Sequence, residues 1–537
     1  LFAPQRSTTT YLIDMQGRVV HQWADEYNPG NMVYLLENGH LLRAVTDRNN
    51  RDFHGGGLGG RMREFDWDGN LIWDLDLSNE EYCQHHDIEP MPNGNVLVIA
   101  WEKKSEQQAL AAGRKSELVD RDGLWPDFII EVKRDGKTGC TVVWEWHAWD
   151  HMIQDNDKSK DNYGFPGDHP ELIDINFTSA SARMTPAEQE RLRSLGYIGG
   201  EEPQRRGPGG GGPGGGAGPD MFHTNSVSYN AQRDQIVLSV LNFNEIWVVD
   251  HSTTTQQAKG HTGGRYGKGG DLLYRWGNPQ TYMAGTAEDQ QLFAQHDASW
   301  ISTNSPGAGH ILVFNNGRGR RNGNFSSVDE IVPPVTSSGA YSGEPEEPYA
   351  PGKATWTFAS SAKAEFDSGH ISGAQRLPNG NTFICSGEQG RLLEVTPGGE
   401  IVWEYVNPLG GDAGPPGFPG GPGGGIWPFG PPPGGFQRGN RDGQQNERPD
   451  GQRPEGPDDR RPPLPEARDG EQNANGDGQN ADARREREQD LRREREQNMD
   501  ARRDNRGGPP EARNDDRNAN DRNANDRPAD ANGALPR

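Results

Sequence analysis

The chain has three cysteines in 537 residues, Cys83, Cys140 and Cys385, an odd number without ligand spacing. A disulfide framework and a cysteine-based zinc site are therefore not expected. No run of about 18 apolar residues occurs, so no membrane span is expected. Basic residues number 55 against 79 acidic ones, for a formal net charge of −24, and nucleic acid is not an expected partner. Paired carboxylates of the kind that cleave glycosides are not apparent. Asp155-Asn156-Asp157-Lys158-Ser159-Lys160-Asp161 has the acidic spacing of a calcium loop but lacks its glycine and distal glutamate. The chain opens at Leu1, as if inside a strand, with no start methionine and no visible signal peptide; a removed leader is compatible with this.

Composition divides the chain. From about residue 409 it turns to Gly and Pro, and past Phe436 to charged and amide residues with Gly and Pro. Such a segment cannot bury enough apolar surface to offset the entropy of ordering it. Residues 409–537 are expected to be a disordered tail, with a transient charged helix at 484–499. A second low-complexity stretch, 207–218, lies inside an excursion over 147–221. In that excursion Thr185-Pro186-Ala187-Glu188-Gln189-Glu190-Arg191-Leu192 carries an N-cap threonine and a first-turn proline, the marks of a short helix. The excursion reads as an insertion into one domain spanning 1–408.

That domain is built of repeats, which decide the fold. Asn38-Gly39, Asn93-Gly94 and Asn379-Gly380 each precede an alternating apolar strand, and Asn-Gly supplies the positive φ a tight hairpin needs. Six strand-like segments close with tryptophan: Trp23, Trp73, Trp144, Trp276, Trp356 and Trp403. Short strands with four per repeat predict an all-β fold, a six-bladed β-propeller with a long loop and helix insertion. Residues 1–23 would belong to the blade that closes the ring. A β-sandwich or β-helix is the competing architecture.

Histidine recurs at one place in the repeat: Gln84-His85-His86-Asp87-Ile88, Phe222-His223-Thr224-Asn225-Ser226, Gln295-His296-Asp297-Ala298 and Gly369-His370-Ile371-Ser372. Each stands just ahead of, or opens, a strand-like run. A blade begins with its innermost strand, so His86, His223, His296 and His370 should gather at one end of the central channel. Asn225, two residues past His223, should share its face. Asp87 and Asp297 follow histidines directly and should point elsewhere. Turn satisfaction explains a single such histidine, but a register shared by four modules asks for more. Two chemistries fit. One neutral imidazole is a nucleophile while the others, with Asn225, donate to developing charge; or all four hold a metal such as iron(II).

Longer motifs add a resemblance. Leu1-Phe2-Ala3-Pro4, Ser7-Thr8-Thr9-Thr10-Tyr11-Leu12-Ile13-Asp14, His223-Thr224-Asn225-Ser226-Val227, Val249-Asp250-His251-Ser252-Thr253-Thr254 and Tyr274-Arg275-Trp276-Gly277-Asn278-Pro279 resemble bacterial arylsulfotransferases, and the likeness extends to about Pro408. The resemblance implies a six-bladed propeller in the periplasm or outside the cell. It implies transfer of a sulfuryl group from a phenolic sulfate ester to a phenol, without a nucleotide sulfate donor and without a cofactor. A transiently sulfated histidine would be His296, with His86, His223 and Asn225 in support. The family arginine expected later in the blade that opens at His223 is missing from Leu238-Ser239-Val240-Leu241-Asn242-Phe243-Asn244. Arg318 or Arg376, with His370, would then contribute to substrate binding from other blades. Trp300 and Phe222 are candidate aromatic walls, with core packing as the competing role. The expected partners are small aromatic sulfate esters and phenols, and a homodimer is left open. Two rival functions stay in view: a four-histidine iron oxygenase, and a propeller that binds aryl sulfates without turnover.

Overall fold

The alternating strands pair as hairpins wherever Asn-Gly supplies the turn. At Gly39, Gly94 and Gly380 φ is +83°, +84° and +90°. The preceding asparagine side chain accepts the amide two residues on, at 3.0, 2.9 and 2.9 Å. Only the glycine takes positive φ, so these are type I turns with a glycine bulge rather than the two-residue turns Asn-Gly also favours.

The structure, a computed structural model, describes residues 1–178, 218–336, 338–343, 347–360 and 365–408. The helix expected at 185–192, the glycine-rich stretch 207–217 and the tail beyond 408 lie outside the described residues. Five four-stranded antiparallel sheets follow one another along the chain. Blade 1 covers 29–76, blade 2 82–147, blade 3 224–276, blade 4 296–358 and blade 5 373–406. From blade 1 to blade 5 each innermost strand packs beside that of the following blade. The fold is a β-propeller, but the expected six blades are corrected to five. The sixth tryptophan, Trp23, closes a hairpin of two strands, Thr9–Ile13 and Val19–Ala24, not a sheet of four.

The tryptophans explain how the ring is fastened. Each indole N–H reaches the turn before the outermost strand of the next unit. Trp23 donates to the Asp66 carbonyl at 2.9 Å, Trp73 to Gly139 at 3.1 Å and Trp144 to the Thr253 hydroxyl at 3.1 Å. Trp276 donates to Pro351 at 2.7 Å, Trp356 to Pro397 at 2.8 Å and Trp403 to Met15 at 2.8 Å. The two-stranded hairpin thus stands between blade 5 and blade 1 and receives the last of these bonds.

Buried apolar clusters sit between neighbours, which is why middle strands such as Val96–Glu102 are apolar on both faces. Leu42, Ala44 and Met62 meet Val98 and Ile130 between blades 1 and 2. Ile99 and Trp146 meet Val227 and Leu238 between blades 2 and 3. Val237 and Ile246 meet Ala298 and Val313 next, and Leu312 and Phe314 meet Ile384 and Leu393 last. Trp23 packs with Leu41 and Phe65 to join hairpin and blade 1. Among the described residues no such cluster joins blade 5 to the hairpin; there Phe2 and Tyr405 meet with ring centroids 5.9 Å apart.

The described part of the insertion is anchored rather than loose. Met152–Ile153 and Ile173–Asp174 pair in parallel, and Trp125 takes the Pro219 carbonyl at 2.6 Å as the chain returns. Arg275, wholly buried against Glu245 at 2.6 Å, donates to the Pro170 and Leu172 carbonyls at 3.2 and 3.0 Å.

Candidate active site

The four histidines stand at equivalent ends of four innermost strands. His86 lies within Tyr82–Pro90, His223 precedes Thr224–Asn230, His296 opens His296–Trp300 and His370 comes shortly before Gly373–Arg376. The backbone is bent at these mouths. Strand register slips between Gln84 and Ile88, Thr224 and Ser226, and His296 and Ser299. His86 and His223 adopt φ of 51° and 53°, Asp297 53° and Ile371 49°. A left-handed non-glycine residue costs on the order of 1–2 kcal/mol, and a bulge re-aims a side chain out of strand alternation. Here it turns imidazoles toward each other: the His86 and His223 rings are 4.5 Å apart, edge to face. Gly57 lets a loop lie over them, since a Cβ there would be 2.0 Å from the His86 ring.

Each imidazole is braced from behind at Nδ1. His223 meets Asp220 Oδ2 at 2.6 Å, His370 meets Glu388 Oε2 at 3.0 Å and His296 meets Asn316 Oδ1 at 2.8 Å. The Asn316 amide is fixed by its other end, which donates to the Ser368 and Ile371 carbonyls at 2.6 and 2.8 Å. Its oxygen must therefore face His296 and accept, so Nδ1 of His296 carries the proton and Nε2 presents a lone pair. The Nε2 atoms of His86, His223 and His296 are buried and meet no hydrogen-bonding group among the described residues.

Burial, the largest influence, pushes His296 down to about 3, opposed by the Asn316 bond and reinforced by His223, His370 and Arg318. Burial also pushes His86 well below the usual range, with His223, His85 and His296 adding to it. Both are neutral imidazoles at neutral pH. Burial works against the Asp220 carboxylate, but His223 more than offsets it and holds Asp220 below its ordinary value.

Several residues of this site had escaped sequence reasoning. His85 links Asp127, 3.3 Å from its Nε2, to His86, 2.8 Å from its Nδ1, and it stacks on Trp101 at 4.0 Å. Phe53, Trp101 and Trp125 form the aromatic cluster beside it. Trp101 donates to Asp220 Oδ1 at 3.2 Å. The doubled histidine at 85–86 and the acid three residues before His223 were the available signals. Asn316 gave none.

Other expected residues fall differently. Arg318 lies near enough to His296 for its charge to bear on that ring. Arg376 does not join the group: it is at the far end of its strand, paired with Glu330 at 2.7 Å and laid over Trp356 at 5.0 Å. Asn225 uses its Nδ2 on the Gln295 carbonyl at 2.8 Å, tying blade 3 to the strand of His296, and it is Oδ1 that is buried with no partner among the described residues. Phe222 and Trp300 belong to the core and not to an aromatic wall. Where the family arginine is missing, Asn242 donates to the Asp220 carbonyl at 3.1 Å.

The aspartates after the histidines are ties between blades. Asp87 Oδ2 accepts the Val227 amide at 2.9 Å and Asp297 Oδ2 the Ala374 amide at 2.7 Å. Burial raises Asp87 well above the carboxylate range, Asp297 to about 6 and Glu89 to about 7, and repulsion among the three adds to the first and last.

A shared iron would require the four Nε2 atoms to converge within bonding distance of one point. Among the described residues, His151, His261 and Asp271 are the group whose ligand atoms come that close, within 4.8 Å of one another, and they lie outside this site. The four histidines of the channel do not have the spacing of a single-metal centre.

A β-propeller carrying individually braced imidazoles at one end of its channel is the class these features define. The chain belongs to the arylsulfotransferase family: the family model described as Arylsulfotransferase (ASST) matches residues 3–405. Membership makes it a sulfotransferase enzyme and points to aryl sulfates and phenols as substrates. No curated protein matches the sequence. Solved structures to which the chain is similar include a protein of unknown function from Bacteroides caccae, 10% identical over 76% of this chain and 92% of that one, with a TM-score of 0.37. A catalytically inactive virginiamycin B lyase from Staphylococcus aureus with quinupristin is 9% identical over 75% and 78%, TM-score 0.32. The Dos1 propeller is 8% identical over 73% and 65%, TM-score 0.28. Likenesses this distant carry nothing about what the present chain binds.

Proposed function

We propose that this protein moves a sulfuryl group from a phenolic sulfate ester to a phenol through a sulfated His296. The observation that carries the reading is the orientation of one ring. Asn316 accepts the Nδ1 proton of His296 in a hydrogen bond, burial keeps the ring neutral, and Nε2 is a buried lone pair on a ring that feels the charges of His223, His370 and Arg318.

In the first half-reaction Nε2 of His296 attacks sulfur in line with the aryl oxygen. The N–S bond forms as the S–O bond breaks, and the electron pair leaves with the phenolate. The three sulfuryl oxygens stay anionic throughout, so positioned positive charge matters more than covalent assistance, as in phosphoryl transfer. Arg318 supplies that charge in place of the missing family arginine. His223, backed by the Asp220 carboxylate, protonates the departing phenolate, and His86 donates to a sulfuryl oxygen. In the second half-reaction His223 takes the proton of the acceptor phenol, whose oxygen attacks sulfur. The N–S electron pair then returns to Nε2. Independence from a nucleotide donor, and a location in the periplasm or outside the cell, belong to this reading through the family resemblance alone.

The test is p-nitrophenyl sulfate with a phenolic acceptor. Wild type should release nitrophenol and, without acceptor, gain one sulfuryl group in intact mass. Release by His296→Ala at the wild-type rate would overturn the assignment. Saturable aryl sulfate binding with no release by the wild type would favour the binding-only propeller instead.

A further inference from the structure

A second cluster of ligating side chains lies outside the channel. His151 begins the crossover that leaves blade 2, while His261 and Asp271 stand in the long turn before the outermost strand of blade 3. Nδ1 of His151 is 2.9 Å from Asp271 Oδ1, and Nδ1 of His261 is 2.7 Å from the same oxygen. On its other side His151 Nε2 is 2.8 Å from the Ala258 carbonyl. A carbonyl only accepts, so Nε2 carries the proton. A neutral His151 then turns the Nδ1 lone pair on a carboxylate oxygen, and that contact is favourable only if a cation lies between them. The cation is either a second proton on the ring or a metal ion.

Three further observations favour a metal. An imidazole that gives its remote N–H to a backbone carbonyl has the outer-shell arrangement typical of a metal ligand. The ring is held in place: it is wholly buried and lies parallel to Trp146 at 5.8 Å, whose indole donates to the Gly270 carbonyl at 2.7 Å. Gly270 makes this fit possible, because a Cβ there would stand 1.9 Å from the Ala258 carbonyl oxygen and 2.6 Å from His151 Nε2. The cluster also has an open side, since the His261 side chain is 51% exposed while that of Asp271 is 8% exposed. Two imidazole nitrogens and one carboxylate oxygen suit a borderline divalent ion such as zinc, which takes three protein ligands and a water. Tetrahedral bonds of about 2.0–2.1 Å space ligand atoms by about 3.4 Å, so the ion seats when the exposed His261 swings out and the Asp271 carboxylate turns away from the fixed His151 ring, widening contacts of 2.7 and 2.9 Å.

We propose that His151, His261 and Asp271 form a zinc(II) site that staples the crossover after blade 2 to the outer turn of blade 3. The site is independent of the sulfuryl-transfer reading.

The experiment is zinc(II) titration of the full chain by calorimetry, with elemental analysis after removal of excess metal. Wild type should bind one zinc per chain, and cobalt(II) in its place should give the visible absorption of a tetrahedral ion. Substitution of buried His151 or Asp271 risks unfolding, so the deciding variant is His261→Ala. It should leave the circular dichroism spectrum unchanged, weaken zinc binding at least about 100-fold and abolish the zinc-dependent rise in melting temperature. His296→Ala should keep its zinc, which separates this site from the channel histidines. Absence of saturable one-to-one binding, or equal binding by His261→Ala, would overturn the site and leave an imidazolium–carboxylate pair at His151 and Asp271.

Discussion

His223 and His296 occupy the mouths of neighbouring blades, yet one is braced by a carboxylate and the other by an amide. Asp220 sets a carboxylate oxygen 2.6 Å from Nδ1 of His223, the pairing used for proton transfer in the proposed mechanism. Asn316 bears no charge, and the upward pull of its hydrogen bond on His296 is outweighed by burial. Burial completes the difference by holding His296 at about 3. In the proposed mechanism the brace behind the ring, rather than the histidine itself, separates the nucleophile from the proton carrier.

Removing the nucleophile should have the largest effect. His296→Ala should lower nitrophenol release from p-nitrophenyl sulfate by on the order of 10⁴, with no sulfuryl adduct in the intact mass. Exchanging the braces sharpens the contrast. Asn316→Asp should raise the His296 pKa, lower kcat by about 10²–10³ at neutral pH and introduce an acid limb into the pH–rate profile. Wild type should show no limb from His296 above about pH 4, because that ring stays neutral down to about 3. Asp220→Asn should act on the other ring: a loss of about 10–10² in kcat, smaller for aryl sulfates whose phenol is more acidic and needs less protonation on leaving. Equal losses for all leaving groups would remove His223 from proton transfer.

The smallest effect is on stability. Asp297 is raised to about 6 in the folded chain, against an ordinary value of 3.8. Between these values the unfolded chain ionises and the folded chain does not. Its contribution is therefore full below about pH 4 and is lost as pH rises to about 6. Asp297→Asn keeps an acceptor for the Ala374 amide and cannot ionise. Asp297 is only partly buried, so the variant should gain about 1 kcal/mol on wild type across that interval. Melting temperatures at pH 4 and pH 7 measure it.

What could be read in advance was whatever repeats. Asn-Gly turns, closing tryptophans and the recurring histidine all sit at fixed offsets within a blade, so one module explains another. The braces do not repeat: Asn316 follows the second strand of blade 4, Asp220 ends the insertion and Glu388 lies in a turn of blade 5. Each meets its histidine only because the sheets twist those loops back to the same end. Arg376, named with Arg318 as a stand-in for the missing arginine, closes the innermost strand of blade 5, and its distance along that strand carries it to the end opposite His370. Trp23 misled about number, since a tryptophan-closed hairpin looks the same in sequence whether or not two inner strands accompany it. The missing family arginine was legible as an absence. Arg318 could be named only as one of two stand-ins, and its nearness to His296 comes from the loop between the second and third strands of the same blade.

The joint between Tyr405 and the first hairpin has consequences for how the circle gives way. Every other junction is sealed by a greasy wedge, whereas among the described residues this one rests on an indole bond and a pair of rings at the rim. Thermal breathing should open the circumference there first, and amide exchange should be fastest in residues 9–24 and 401–406. The arc bearing His86, His223 and His296 lies away from that gap, so the spacing of the reactive trio can outlast a partly sprung ring.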